Sequence, residues 1–114
     1  MTHEMKLQPK YFDFIKNGTK RIELRLFDDK RKAILLGDTI KFIKEPEKLE
    51  SFEVTVIGLL RYNSFEDLLN DFSIDILANI TISKENLLAE LKKFYPQKEQ
   101  EKYGVLGIRF DYST

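Results

Sequence analysis

The chain has 114 residues, 42% of them hydrophobic, with nine Phe and five Tyr, which is enough for one domain with a real core. Nineteen basic residues balance nineteen acidic ones, and there is no cysteine. This excludes disulfides, thiolate metal sites and a Cys nucleophile, and argues against bulk electrostatic binding of long nucleic acids. No apolar run approaches the ~20 residues that span a bilayer, and the opening MTHEMKLQPK is too polar for a secretory signal, so a single cytoplasmic domain over residues 1–114 is expected, without membrane contact, cofactor or metal.

Met5 and Leu7 suggest a short opening strand. Pro9 suits the first turn of a helix, to which Tyr11, Phe12, Phe14 and Ile15 give an apolar side, and Gly18 suits the left-handed close. The alternation of Ile22, Leu24 and Leu26 with Arg21, Glu23 and Arg25 is the two-residue period of a half-buried strand. DDKRKAILLGD reads as a loop with a turn or two of helix, and Asp38 caps the turn into the strand TIKFIK. After the polar turn EPEKLES, FEVTVIGLLRY is rich in strand formers.

Ser64 with Asp67 is a capping-box variant opening a helix that buries Phe65, Leu68, Leu69 and Phe72. Ser83 caps a longer helix with Leu87, Leu88, Leu91, Phe94 and Tyr95 at helical spacing, Phe94 being read as core; Pro96 ends it, and Tyr95 and Tyr103 bracket a loop. YGVLGIRFDY is a closing strand in which two glycines mark a bend or a close backbone approach. Five strands and two or three helices without βαβ alternation predict an α+β fold. Its sheet is expected to be mostly antiparallel, curled or closed into a small barrel, with helices packed at its ends.

The charged face of KRIELR has two readings: a surface ion-pair ladder of little worth, or the floor of a cleft. On the strand Glu23 lies between Arg21 and Arg25, and Lys20 follows the first helix, where a cation complements the helix dipole. Between Lys16 and Lys32, seven basic residues stand against three acidic ones, a local surplus of +4.

Together, NG, TKRIELR, GDTIKF and FYPQKEQEKYGVLGIRF resemble the ASCH domain (activating signal cointegrator homology), of the PUA-like β-barrel superfamily and its small prokaryotic type. Its G-x-K-x-x-E-x-R hallmark is matched by Gly18, Lys20, Glu23 and Arg25. The resemblance runs from about Met5 to Phe110. It implies a cleft between sheet and first helix, floored by the motif, that binds RNA or a nucleotide-like ligand.

On that reading Lys20, Arg21 and Arg25 meet phosphate or base, Glu23 orients them, Tyr103 stacks on a base and Gly104 lets backbone approach the ligand. Some members hydrolyse the amide of acetylated cytidine, and another is a ribonuclease, so Lys20 and Glu23 are also the catalytic candidates. Those amide hydrolases place a threonine where Glu23 stands, so their nucleophile is missing here. His3, the single histidine, is read as incidental at a frayed end. In a third alternative, the helix face of Leu87, Leu91 and Phe94 docks a protein partner.

Overall fold

The protein is described here by a computed structural model covering residues 1–112. Strand β1 (Thr2–Leu7) leads into helix α1 (Pro9–Lys16), with Pro9 in its first turn. Helix α1 turns Phe12 and Ile15 inward and closes through Gly18, whose φ of 87° few other residues adopt. Then come β2 (Ile22–Leu26), the short α2 (Asp29–Lys32), β3 (Thr39–Lys44) and the long β4 (Ser51–Tyr62). Helices α3 (Phe65–Asn70), α4 (Ile74–Leu77), α5 (Lys84–Phe94) and α6 (Gln97–Tyr103) follow, and β5 (Val105–Tyr112) ends the fold. The expected caps form: Ser64 Oγ accepts from the Asp67 amide and Ser83 Oγ from the Asn86 amide, each at 3.1 Å.

The five strands form one curled half-barrel sheet in the order β1-β3-β4-β5-β2. Three pairings are antiparallel, but β1 runs parallel to β3. The sheet is mostly antiparallel as expected, and its one parallel pair makes it mixed. A parallel pair needs a long crossover, and the chain supplies one through α1, β2 and α2, a connection with no local sequence signature. An irregularity between Val56 and Gly58 breaks the β4–β5 register, and such bulges sharpen sheet curvature.

Two apolar clusters cover the two sides of the sheet. Phe12 and Ile15 of α1 pack with Met5, Phe42, Val54, Leu106 and Ile108 on the inner side. On the other, Ile22, Leu24 and Leu26 meet Phe65, Leu68, Leu77, Leu87 and Leu91 of α3, α4 and α5. Each large side chain so buried contributes roughly 1.5–3 kcal/mol. Gly107 permits the second contact, because a Cβ there would lie 3.1 Å from Leu68 Cδ1 and 3.2 Å from Ile22 Cγ2.

Three expectations change here. Leu87 and Leu91 are buried in the domain's own core, so they offer no free docking face. Phe94, read as core, is 57% exposed. The segment between Tyr95 and Tyr103, read as a loop, contains α6. Among the described residues no helix is long and apolar enough to cross a membrane.

Candidate ligand site in the seam of the half-barrel

Strands β1 and β2 are the two edges of the sheet, and the gap between them is a seam where neither strand has a strand partner. Arg25 bridges it, its Nη2 donating to the Lys6 carbonyl at 3.0 Å. Cross-strand pairing puts Glu23 opposite Ile108 and Arg25 opposite Leu106, so both point to the inner face while Ile22, Leu24 and Leu26 fill the outer core. Strand β2 is covered on both sides, which is why its charged face is not a solvated ladder.

Lys20 lies outside the strand, where the chain leaves α1, and this lets it turn toward Glu23 although strand alternation would place it on the opposite face. Its Nζ donates to the Leu77 carbonyl at 2.7 Å, sits 3.6 Å from Glu23 Oε1 and lies 5.7 Å from the Tyr11 ring centre. Arg25 Nε and Nη2 both reach Glu23 Oε2 at 2.8 Å. Lys20 is 2% exposed and Glu23 5%. Ions so placed survive only with partners and hydrogen bonds, and here one carboxylate serves two cations.

Burial pulls the Lys20 ammonium down from its ordinary 10.5 to about 8, with Glu23 opposing the shift and Arg25 adding to it. For Arg25 burial also disfavours the charge, but Glu23 first and Tyr95 next outweigh it and raise its pKa. Burial, and then its bond to Glu90, push the Tyr11 phenol well above its usual range.

Above this floor is a cavity of about 210 Å³. Lys6, Leu7, Gln8 and Tyr11 wall it from β1 and α1; Leu87, Glu90, Leu91 and Phe94 wall it from α5, with Tyr95 at that helix's end. Across the top Glu90 fastens α5 to α1, accepting from Lys10 Nζ at 2.8 Å and from the Tyr11 hydroxyl.

The structure thus brings together Lys20, Glu23 and Arg25. Arg21 lies just before the strand begins, is exposed and is absent from the cavity walls. Tyr103 and Gly104 line a separate, wider groove with Arg61, Tyr62 and Lys102. The aromatics at the cavity are Tyr11, Phe94 and Tyr95. The KFYP end of α5 put the last two together, but helical spacing alone assigned them to the core.

His3 is not frayed: it belongs to β1, and its Nε2 lies 2.8 Å from Asp38 Oδ2, which also accepts from the Leu35 amide at 3.0 Å. Those two bonds hold the Asp38 pKa below its ordinary value. The pair fastens β1 to the start of β3 and stands apart from the cavity. Among the described residues no group of three or more His, Asp or Glu side chains is placed to hold a metal ion.

Fold and site together define a small α+β half-barrel with an ionic cluster in its open seam. The ASCH-domain family model matches residues 5–113. The hypothetical protein PH0355 superposes with a TM-score of 0.85 at 36% identity, covering 99% of this chain and 100% of its own. Protein PF0455 from Pyrococcus furiosus follows at 0.75 and 34%, over 98% and 97% of the two chains. A mutant form of ZmASCH from Zymomonas mobilis, at 0.68 and 12% identity over 96% of this chain and 68% of its own, shares the fold. No curated protein matches the chain. The chain belongs to the ASCH-domain family.

Proposed function

We propose that the seam cavity binds one nucleotide of a short single-stranded RNA, or a free modified nucleoside or nucleotide. The observation that carries this is the buried Lys20–Glu23–Arg25 cluster at the floor of a cavity walled by aromatic and aliphatic side chains. A cation and a carboxylate side by side match the adjacent acceptors and donors on a nucleobase edge, and Tyr11, Phe94 and Tyr95 offer surfaces for its flat faces. The volume of about 210 Å³ is below the roughly 300–1,000 Å³ of sites for drug-sized ligands, which suits a single base. Zero net charge and few available cations agree with a small footprint.

The test is titration of wild type and Lys20→Ala with a panel of modified nucleosides and short RNAs. Wild type is expected to bind without turnover, and Lys20→Ala to lose about tenfold or more, as for a buried charged contact. Log affinity against log salt should have a slope of magnitude about 1 to 3. Equal binding by the two proteins, or a slope typical of many phosphate contacts, would reject this reading.

One observation favours a second reading, hydrolysis of an acylated cytidine or of RNA: Lys20, with its pKa near 8, stands beside Glu23, a pairing suited to proton transfer. Turnover by wild type that vanishes in Lys20→Ala and Glu23→Ala would select it.

A further inference from the structure

Leu106 of β5 stands between two arginines: it pairs with Arg25 of β2 on one side and with Arg61 of β4 on the other. Residues opposite one another on neighbouring strands point to the same face, so Arg25 and Arg61 share the inner side, with Cα atoms about 10 Å apart, two strand spacings. Their surroundings differ. Arg25 is bound inward, to Glu23 and the Lys6 carbonyl. Arg61 is exposed, and among the described residues no carboxylate lies within ion-pair distance of it. Instead its guanidinium carbon sits 4.0 Å from the centre of the Phe27 ring, which Lys32 approaches to 5.7 Å.

Phe27 is two residues beyond Arg25, and α2 follows it with Lys30, Arg31 and Lys32. This corner adjoins the cavity through Arg25, which lines it and stands two residues before Phe27, at the end of β2. Part of the surplus of +4 in the Lys16–Lys32 segment therefore emerges beside the seam. Arg61 is exposed and held against an aromatic ring, and guanidinium planes of this kind stack on unpaired bases. Because the ring already restrains it, ordering on binding costs less.

We infer that the β2–α2 corner is the path by which an RNA chain leaves the cavity. With one base in the seam, the neighbouring base stacks on Arg61, and its phosphate meets Lys30 and Lys32. The inference rests on the seam being a nucleotide site and adds a second, backbone-reading subsite to it. The ligand class becomes an oligoribonucleotide of at least two residues in place of a free nucleoside.

The test titrates wild type, Arg61→Gln and Lys20→Ala with the four ribonucleoside 5′-monophosphates and the corresponding homotetranucleotides. In wild type a tetranucleotide is expected to bind about tenfold or more tightly than its mononucleotide, from the added stack and phosphate contact. Arg61→Gln should reduce that advantage to about threefold or less while leaving mononucleotide affinity unchanged. Arg61 is exposed and outside the core, and a thermal melt matching wild type confirms that the variant folds. Equal tetranucleotide binding by wild type and Arg61→Gln overturns the path while leaving a mononucleotide site intact, whereas tetranucleotide binding that survives Lys20→Ala overturns the seam reading and the path together. If neither monomers nor tetranucleotides bind wild type, the seam reading falls and this one with it.

Discussion

Helix α1 stands beside two ion clusters built from the same chemistry. On its exposed side Lys44 Nζ lies 3.1 Å from Asp13 and 3.7 Å from Glu50, and Lys16 reaches Glu50 at 3.2 Å. Beyond its C-terminus Lys20, Glu23 and Arg25 form the seam cluster at comparable distances. The geometries match and the solvent does not: the Lys16 and Glu50 side chains are 60% and 51% exposed, those of Lys20 and Glu23 2% and 6%. In water such pairs are worth little, because hydration competes with them and salt screens them. In the seam each charge has lost its hydration and depends on its neighbours. The two clusters therefore respond differently to the loss of one member, to pH and to salt.

The sharpest separation comes from the shared carboxylate. Glu23→Gln keeps the side chain's shape but leaves Lys20 and Arg25 facing each other without a counter-ion. Urea unfolding near neutral pH should show a loss of about 3–5 kcal/mol, the usual cost of breaking a buried ion pair from one side. Adding Lys20→Met to Glu23→Gln removes one of the stranded cations and should restore part of the loss. A cost below about 1 kcal/mol for Glu23→Gln would mean that the seam is as wet as the surface.

The same contrast explains what was legible in the sequence. Signals that act within a few residues were readable: the alternation in β2, Pro9 and Gly18 at the ends of α1, and the caps Ser64 and Ser83. The motif spacing likewise marked Lys20, Glu23 and Arg25. What lay beyond reach depended on contacts far along the chain. Parallel pairing of β1 with β3 has no local mark. The covering of β2 on its second face is made by α1 and α5, and only that covering turns a charged strand face into a cavity floor. Arg21 looked equivalent to Arg25 by alternation, but it lies just outside the strand and is exposed, away from the cavity walls. Phe94 and Tyr95 followed helical spacing and so resembled core, whereas they sit at the end of α5, where that spacing no longer fixes orientation. Helix α6 did leave a trace, Pro96 before it and Gly104 with φ 74° after it, but the polar run between them reads equally well as a loop.

A second, smaller effect is the pH dependence that only the seam produces. Lys20 titrates near 8 in the folded protein against 10.5 ordinarily, so between those values the unfolded chain binds more protons. Stability then rises with pH in that window, by about 2 kcal/mol between pH 8 and 10 at about 1.4 kcal/mol per pKa unit. Above pH 10 the raised Tyr11 works in the opposite direction: the unfolded phenol ionises while the folded one keeps its proton, and the gain levels off. Urea midpoints measured from pH 7 to 10 should rise for wild type and stay flatter for Lys20→Met. Parallel profiles for the two proteins would show that Lys20 holds its charge as an exposed lysine does.

The smallest effect belongs to the exposed cluster and completes the contrast. Glu50→Gln removes the carboxylate shared by Lys16 and Lys44, as Glu23→Gln removes the one shared by Lys20 and Arg25. Here both lysines return to water, and Lys44 keeps Asp13. No resolvable shift in the urea midpoint is expected in 0.05 M salt, ~14 Å of screening length, and none in 0.5 M, where screening at about 4 Å suppresses what remains. A clear loss at low salt that disappears at high salt would mean the Asp13–Lys44–Glu50–Lys16 chain acts as a network. A loss that salt does not touch would place Glu50 in a desolvated environment like that of Glu23, and solvent exposure would then no longer be what separates the two clusters.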